Sequence, residues 1–278
     1  MKTRVLTGTL ILAVILPILF FSEYIIYPIA LGIFCAAALY EVFGVIGVKK
    51  QYSIVIPSYV LAFCLPFLVF FAPELNRVGY LYFLFGALVI FMMYLFCIMV
   101  LKKGKISYAK IAEIFMLVVY VTTSFTALSL VRYLNNGKFM LFLVFIGSWV
   151  TDTFAYLTGT LIGKHKLIPE VSPKKTVEGA IGGTVSAVLF FLLYGFIVQS
   201  VTGGEVRANY LALAIYAVIL AVVAQIGDLL ASLIKREYNT KDYGSLLPGH
   251  GGIMDRFDSV MSVSTIALVL YMIYQPFV

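Results

Sequence analysis

Ala208 to Ile234 reads A-N-Y-L-A-L-A-I-Y-A-V-I-L-A-V-V-A-Q-I-G-D-L-L-A-S-L-I, with one charged side chain, Asp228, toward its far end. A helix crossing the roughly 30 Å hydrocarbon layer of a bilayer needs about 20 apolar residues at 1.5 Å each. This run is long enough, and it lacks the alternation that a transmembrane β-strand would show. Eight further runs flank it: Val5 to Ser22, Tyr24 to Gly47, Ile54 to Ala72, Gly79 to Leu101, Tyr108 to Val131, Phe139 to Gly163, Val177 to Ser200 and Phe257 to Val278. Of the 278 residues 62% are apolar and 12% charged, and the mean hydropathy is +1.04. A soluble domain is nearer half apolar and a quarter charged. The expected fold is therefore an all-α polytopic integral membrane protein of nine transmembrane helices. The first run ends in Phe-Phe-Ser-Glu with no small-residue cleavage site, so it reads as a retained span rather than a signal peptide.

Lys and Arg number 20 against 13 Asp and Glu, a net charge of +7. Sorted by the loops between the nine runs, 16 of the 20 fall on one side. The other side holds Arg77, Arg132, Lys138 and Arg207, which are the remaining four. Basic residues collect in cytoplasmic loops. This segregation places the N-terminus in the cytoplasm and the C-terminus outside. Up to about residue 107 the loops are short, so residues 1–107 read as N-terminal spans serving lipid access or dimer contacts. Residues 108–278 read as a catalytic region with two long cytoplasmic loops, 164–176 and 235–256. No internal repeat or flexible linker separates the two.

Cys35, Cys64 and Cys97 all lie in apolar runs, where a thiol packs as a small hydrophobe. Two histidines, His165 and His250, without CxxC or HExxH spacing give a transition metal almost no ligands. No GxxxxGK[ST] is present, and topology accounts for the basic excess without nucleic acid.

Six acids lie inside or at the edge of the runs: Glu41, Glu113, Asp152, Asp228, Asp255 and Asp258. A carboxylate at mid-bilayer costs about 2.5–3.5 kcal/mol on insertion scales, so each needs a partner, water or a shallow position. Counting rise per residue from the outer ends of their runs brings Asp228 to the cytoplasmic interface and Asp152 to the inner third. Asp255 and Asp258 open the last run from the cytoplasmic side and share a helix face, as do Gln225 and Asp228. Four carboxylates thus converge on one depth. A hard divalent cation held by two or more of them answers the desolvation cost, and oxygen ligands favour magnesium. For Asp258 alone, complementing a helix dipole is an equal reading. Glu41 and Glu113 stand apart and read as interhelical hydrogen-bonding or snorkelling groups.

The first polar loop contains Ser172-Pro173-Lys174-Lys175-Thr176. Ser before Pro matches an N-cap and first helical position, which would set both lysines and free N–H groups at a helix start, an anion site. Gly159 with Gly163, and Gly179 with Gly183, have helix-packing spacing. The second loop joins Lys235, Arg236 and Lys241 to a Pro248-Gly249-His250-Gly251-Gly252 turn and then to Asp255-Arg256-Phe257-Asp258. Glycines admit close backbone approach and the following helix start offers donors, a combination suited to a polyphosphate with its metal. His250 has two readings, phosphate donor or general base on one side and structural histidine on the other.

Ser232-x-Ile234-Lys235-Arg236, then Lys241-Asp242-x-Gly244, then Pro248-x-His250-Gly251-Gly252-x-x-Asp255-Arg256-x-Asp258 resembles the signature of CDP-diacylglycerol synthases, also called phosphatidate cytidylyltransferases. Ser172-Pro173-Lys174-Lys175-Thr176 with Glu178-Gly179, and Asp152-x-x-Ala155-Tyr156-x-x-Gly159, resemble that family's other motifs. The likeness spans roughly residues 147–260, without departure from the pattern. It implies a nucleotidyltransferase that makes CDP-diacylglycerol and pyrophosphate from CTP and phosphatidic acid in phospholipid biosynthesis, using magnesium. It also implies a second, monovalent cation (K+) and a homodimer among membrane lipids. The expected setting is the inner, cytoplasmic membrane, with the site facing the cytoplasm.

On this reading Asp228 and Asp255 ligate magnesium, with Asp152 and Asp258 as further ligands or close neighbours. Asp228, Asp255, Lys235, Arg236 and His250 form the catalytic set. Ser172, Lys174, Lys175, Thr176, Lys241, Asp242, Gly251, Gly252 and Arg256 bind substrate. Displacement at phosphorus needs alignment and charge neutralisation more than a covalent intermediate. The competing readings are a cytidylyltransferase for another lipid phosphate and a secondary transporter of an anionic solute.

Overall fold

In lipid every backbone N–H and C=O must be satisfied within the protein, so apolar runs of this length have to become helices. The structure, a computed structural model, describes residues 9, 13–71, 77–247, 249 and 251–278. Its helices are α1 (Ile26–Val45), α2 (Tyr52–Leu68), α3 (Arg77–Leu101), α4 (Tyr108–Arg132), α5 (Gly137–Phe145), α6 (Thr151–Ile162), α7 (Val177–Val201), α8 (Tyr210–Glu237) and α9 (Met254–Ile273). A π turn, Ile146–Val150, joins α5 to α6, so the two make one crossing, Gly137–Ile162. Among the described residues eight helices are long and apolar enough to cross a membrane. The protein is an all-α polytopic membrane protein. Of the first expected run, residues 13–20 are helical, and residues 5–8 and 10–12 lie outside the described residues.

Several expected ends move by a few residues, and two of the shifts matter most. The last helix stops at Ile273 rather than continuing to Val278, because Pro276 cannot extend it. The tail instead pairs with the entry to α8, Arg207 and Val278 exchanging backbone hydrogen bonds of 2.8 and 3.0 Å. At its other end α8 runs past Ile234 to Glu237, so Lys235 and Arg236 form a last helical turn rather than the start of a loop. Its 28 residues are roughly 42 Å long, more than the hydrocarbon layer requires.

The chain forms two compact units. One comprises Met1–Leu130 with Asp242–Met254, the other Val131–Lys241 with Asp255–Val278. The segment Asp242–Met254 thus goes with the first unit. In that unit the Tyr27 hydroxyl donates to the Leu128 carbonyl at 2.9 Å, tying α1 to α4. Cys35 is buried, Cys64 half-buried and Cys97 exposed, and all three are free thiols.

In the second unit a short antiparallel hairpin links α6 to α7: β1 (Lys166–Ile168) and β2 (Ser172–Thr176), with Lys166 opposite Thr176 and Ile168 opposite Ser172. Glycines let α6 and α7 meet backbone to backbone. A methyl group at Gly179 would stand 2.6 Å from the Ala155 carbonyl oxygen, and one at Gly183 2.7 Å from that of Thr151. The small-residue spacing is a packing device, as expected.

Candidate active site

The hairpin corrects the expected start of α7. Ser172 is in a strand, not an N-cap, and Pro173, Lys174 and Lys175 continue that strand. A proline holds the residue before it extended, which suits β2 as well as it suits a cap. Thr176 is the N-cap: its backbone is extended and its hydroxyl accepts from the Gly179 N–H at 3.1 Å. The lysine pair thus precedes the helix on a strand instead of standing on its first turn.

This hairpin, α6, the start of α7 and the later turns of α8 enclose a cavity of about 510 Å³ in the second unit. Asp152, Lys174, Lys175, Thr176, Gln225 and Asp228 all line it. Lys175 Nζ, shut off from solvent, lies 2.6 Å from Asp228 Oδ2. The second Asp228 oxygen accepts from the Ser232 hydroxyl at 3.5 Å, one turn later on α8. Gln225, one turn earlier, donates to the Ala180 carbonyl and the Thr184 hydroxyl of α7 at 3.4 and 3.3 Å. The shared face expected of Gln225 and Asp228 is thus the cavity wall.

Asp152 lies two residues beyond the π turn. An extra residue in a helical turn rotates everything that follows, and such turns recur at functional sites. Its Oδ2 accepts from the Ser259 hydroxyl of α9 at 2.9 Å. Asp258 accepts from the Ser259 N–H at 2.8 Å. Asp152, Asp228 and Asp258 are electrostatic neighbours that repel one another, with Lys175 and Arg256 opposing the charge at Asp152 and Lys235 that at Asp258. Three of the four predicted aspartates therefore share one electrostatic environment.

Asp255 has a partner of its own. Its Oδ1 accepts from Lys235 Nζ at 2.7 Å, and both side chains are buried. The pair links the last turn of α8 to the first turn of α9. Arg236 points elsewhere, donating to the Thr240 carbonyl at 3.1 Å, and is exposed like Lys241 and Arg256. His250 and Pro248 lie outside the described residues. Asp242, Gly251 and Gly252 belong to the first unit, where sequence reasoning missed a residue packed on this loop: Glu41 of α1 accepts from the N–H groups of Ile253 and Met254 at 3.1 and 2.9 Å. Its reading as a hydrogen-bonding acid is right, but no signal in the sequence pointed to that loop. Glu113 pairs with Lys110 at 2.9 Å on its own helix.

Oxygen donors of this kind suit magnesium. Asp228 and Asp255 each face a lysine, and carboxyl oxygens are the donors a hard cation takes. A divalent ion beside Asp152, Asp228 and Asp258 would relieve their mutual repulsion. Among the described residues, no three His, Cys, Asp or Glu side chains are drawn together tightly enough to hold a metal as they stand.

Comparison with known proteins gives the family. A phosphatidate cytidylyltransferase of Staphylococcus haemolyticus (strain JCSC1435) is 39% identical over 171 residues, covering 62% of this chain and 63% of that relative's length. The enzyme of that name from Bacillus subtilis (strain 168) is 31% identical over 277 residues, 95% of this chain and 94% of the relative. That of Staphylococcus aureus (strain COL) is 33% identical over 270 residues, 97% and 98% of the two chains. The model of the cytidylyltransferase family matches residues 2–274, nearly the whole sequence. The chain belongs to the cytidylyltransferase family.

Proposed function

We propose that this protein transfers the cytidylyl group of CTP to phosphatidic acid at the cytoplasmic face of the membrane, giving CDP-diacylglycerol and pyrophosphate. One observation carries the choice of a lipid phosphate as acceptor. The polar cavity adjoins an apolar groove of about 450 Å³ between α7 and α8, and the two share Leu167, Ala180 and Gln225 as common wall. The groove's other walls include Ile181, Val185, Val222 and Ile226, all exposed on the helix surfaces. A phosphate head fits beside the lysines while its acyl chain lies along the groove, still in lipid. A water-soluble acceptor has no use for such a wall.

In the reaction an oxygen of the lipid phosphate attacks the α-phosphorus of CTP. The new P–O bond forms as the α–β anhydride bond breaks, and pyrophosphate leaves. Lys174 and Lys175, on a strand pinned by its partner, hold phosphate oxygens and align acceptor with donor. Lys235, Arg236, Lys241 and Arg256 supply further positive charge for the triphosphate, and Asp242, Gly251, Gly252 and His250 are further substrate-side residues of the signature. Asp228 and Asp255 would hold magnesium, with Asp152 and Asp258 beside them and a monovalent cation near. Bound there, the metal would supply positive charge to offset that on the departing pyrophosphate. The protein works as a homodimer in the inner membrane.

The test is product identification. Purified protein in liposomes receives radiolabelled CTP, magnesium and phosphatidic acid. Label in CDP-diacylglycerol with equimolar pyrophosphate is the expected result. Label appearing only with a different lipid phosphate, such as an isoprenoid ether lipid, would replace the acceptor. Solute uptake by sealed vesicles without nucleotide consumption would overturn the enzyme assignment.

A further inference from the structure

Glu41 is 4% exposed, within a helix of the membrane-spanning set, in a region whose sequence reads as generic apolar span. A buried carboxylate is retained only where its oxygens are well bonded. Here the donors are the Ile253 N–H to Oε1 at 3.1 Å and the Met254 N–H to Oε2 at 2.9 Å. These amides stand at the start of α9, where the helix supplies no partner of its own and a negative charge is favoured. The glycine-rich loop is also shaped around this carboxyl group. A methyl group at Gly244 would stand 2.6 Å from Oε1, and one at Gly252 2.2 Å from Oε2. Gly249 and Gly251 are different, with φ of +78° and +82°, a left-handed backbone that favours glycine. Two glycines therefore turn the loop and two make room for Glu41.

We propose that Glu41 is a positioning residue for the nucleotide: by bonding the Ile253 and Met254 amides and packing against Gly244 and Gly252 it fixes the backbone that receives the CTP phosphates. This rests on the reading of that loop as phosphate-binding. Glu41 touches no substrate. Its effect is carried by the loop, so it governs nucleotide affinity more than the lipid's.

The experiment uses full-length protein in liposomes, with Glu41→Gln, Glu41→Ala, Gly252→Ala and the double variant Glu41→Ala/Gly252→Ala. Two readouts are taken: KM for CTP and for phosphatidic acid separately, and the rate of tryptic cleavage at Lys241 and Arg256, which flank the loop. Glu41→Ala is expected to raise KM for CTP about tenfold or more and to speed cleavage similarly, leaving KM for the lipid within about twofold. Glu41→Gln, isosteric but with one acceptor oxygen for two amides, falls between it and the parent. Gly252→Ala behaves like Glu41→Ala. The double variant is no worse than Glu41→Ala alone, because removing the carboxyl group removes the clash. Unchanged cleavage and unchanged KM for CTP in Glu41→Ala would overturn the proposal, as would multiplied penalties in the double variant. If Glu41→Ala does not accumulate in the membrane, the isosteric Glu41→Gln decides on the same two readouts. A parent protein that turns over no CTP sinks the enzyme reading instead, and the cleavage rates still judge the grip on the loop.

Discussion

Helices α7 and α9 each follow a polar loop, yet they find partners for their first N–H groups by opposite routes. For α7 the acceptor is local: Thr176, the residue before the helix, bonds the Gly179 N–H. For α9 it is Glu41, 212 and 213 positions away for the two amides it accepts. A local cap forms wherever its few residues fold, whereas a remote one exists only once α1 and the loop have come together. Helix α9 carries Asp255 and Asp258, so the start of the helix holding two predicted ligands is set by tertiary structure, not by its own sequence.

The largest expected effect asks whether the remotely anchored helix carries the chemistry. Asp255→Asn keeps shape and most hydrogen-bonding capacity but removes the charge that faces Lys235. Turnover should fall by about a thousandfold or more, roughly 4 kcal/mol in the barrier. A steady-state assay with CTP and phosphatidic acid reads this, alongside a thermal midpoint to monitor folding. Wild-type rates would remove Asp255 from the catalytic set and leave α9 a structural helix.

A smaller effect tests the locally capped helix, which depends on its neighbour through packing instead. In Gly179→Ala the added carbon meets the Ala155 carbonyl oxygen at 2.6 Å and Thr176 Oγ1 at 2.9 Å, backbone on one side and the cap on the other. Neither gives way cheaply, so we expect a loss of about 1–3 kcal/mol in stability. Thermal unfolding in detergent measures it. Smaller again is loss of the cap itself. Thr176→Ala should cost about 1 kcal/mol, and Thr176→Ser, which keeps the hydroxyl, a few tenths at most. Equal costs for Ala and Ser would mean that the hydrogen bond to Gly179 contributes nothing and that α7, too, is fixed from outside.

The contrast also explains what could be read from the chain beforehand. Lipid imposes a rule on every spanning segment, so the helices were legible from composition alone, α4 to within one residue. Rise per residue put Asp152 and Asp228 near the cytoplasmic end and the start of the last run put Asp258 there too; the three share an electrostatic environment. The apolar run began at Val177 as the helix does, but the cap was misplaced by four residues because Ser172-Pro173 satisfies the same local rule as a true cap. What decided against it was the pairing of β2 with β1, and a register between strands is invisible in either strand alone. The anchoring of Gly244 and Gly252 by Glu41 was hidden for the same reason. Their glycines were visible; the object they accommodate lay some two hundred residues upstream.

The smallest expected effect sharpens the comparison at its origin, since Glu41 and Glu113 look alike in sequence, each a lone acid in an apolar run. The structure separates them. Glu113 pairs with Lys110 three residues earlier, and both side chains remain about a quarter exposed, at 25% and 27%. Pairs of this spacing at a helix surface are worth about 0.2–1 kcal/mol, because water or headgroups replace the partner when it is lost. Glu113→Gln should therefore shift stability by less than about 1 kcal/mol and leave KM for CTP unchanged, whereas the same chemical change at Glu41 should raise that KM. Unfolding midpoints and initial rates on the two variants side by side provide the check. A KM for CTP raised equally by both substitutions would show that it responds to lost negative charge in general, and the specific grip of Glu41 on the Ile253 and Met254 amides would no longer be needed to explain it.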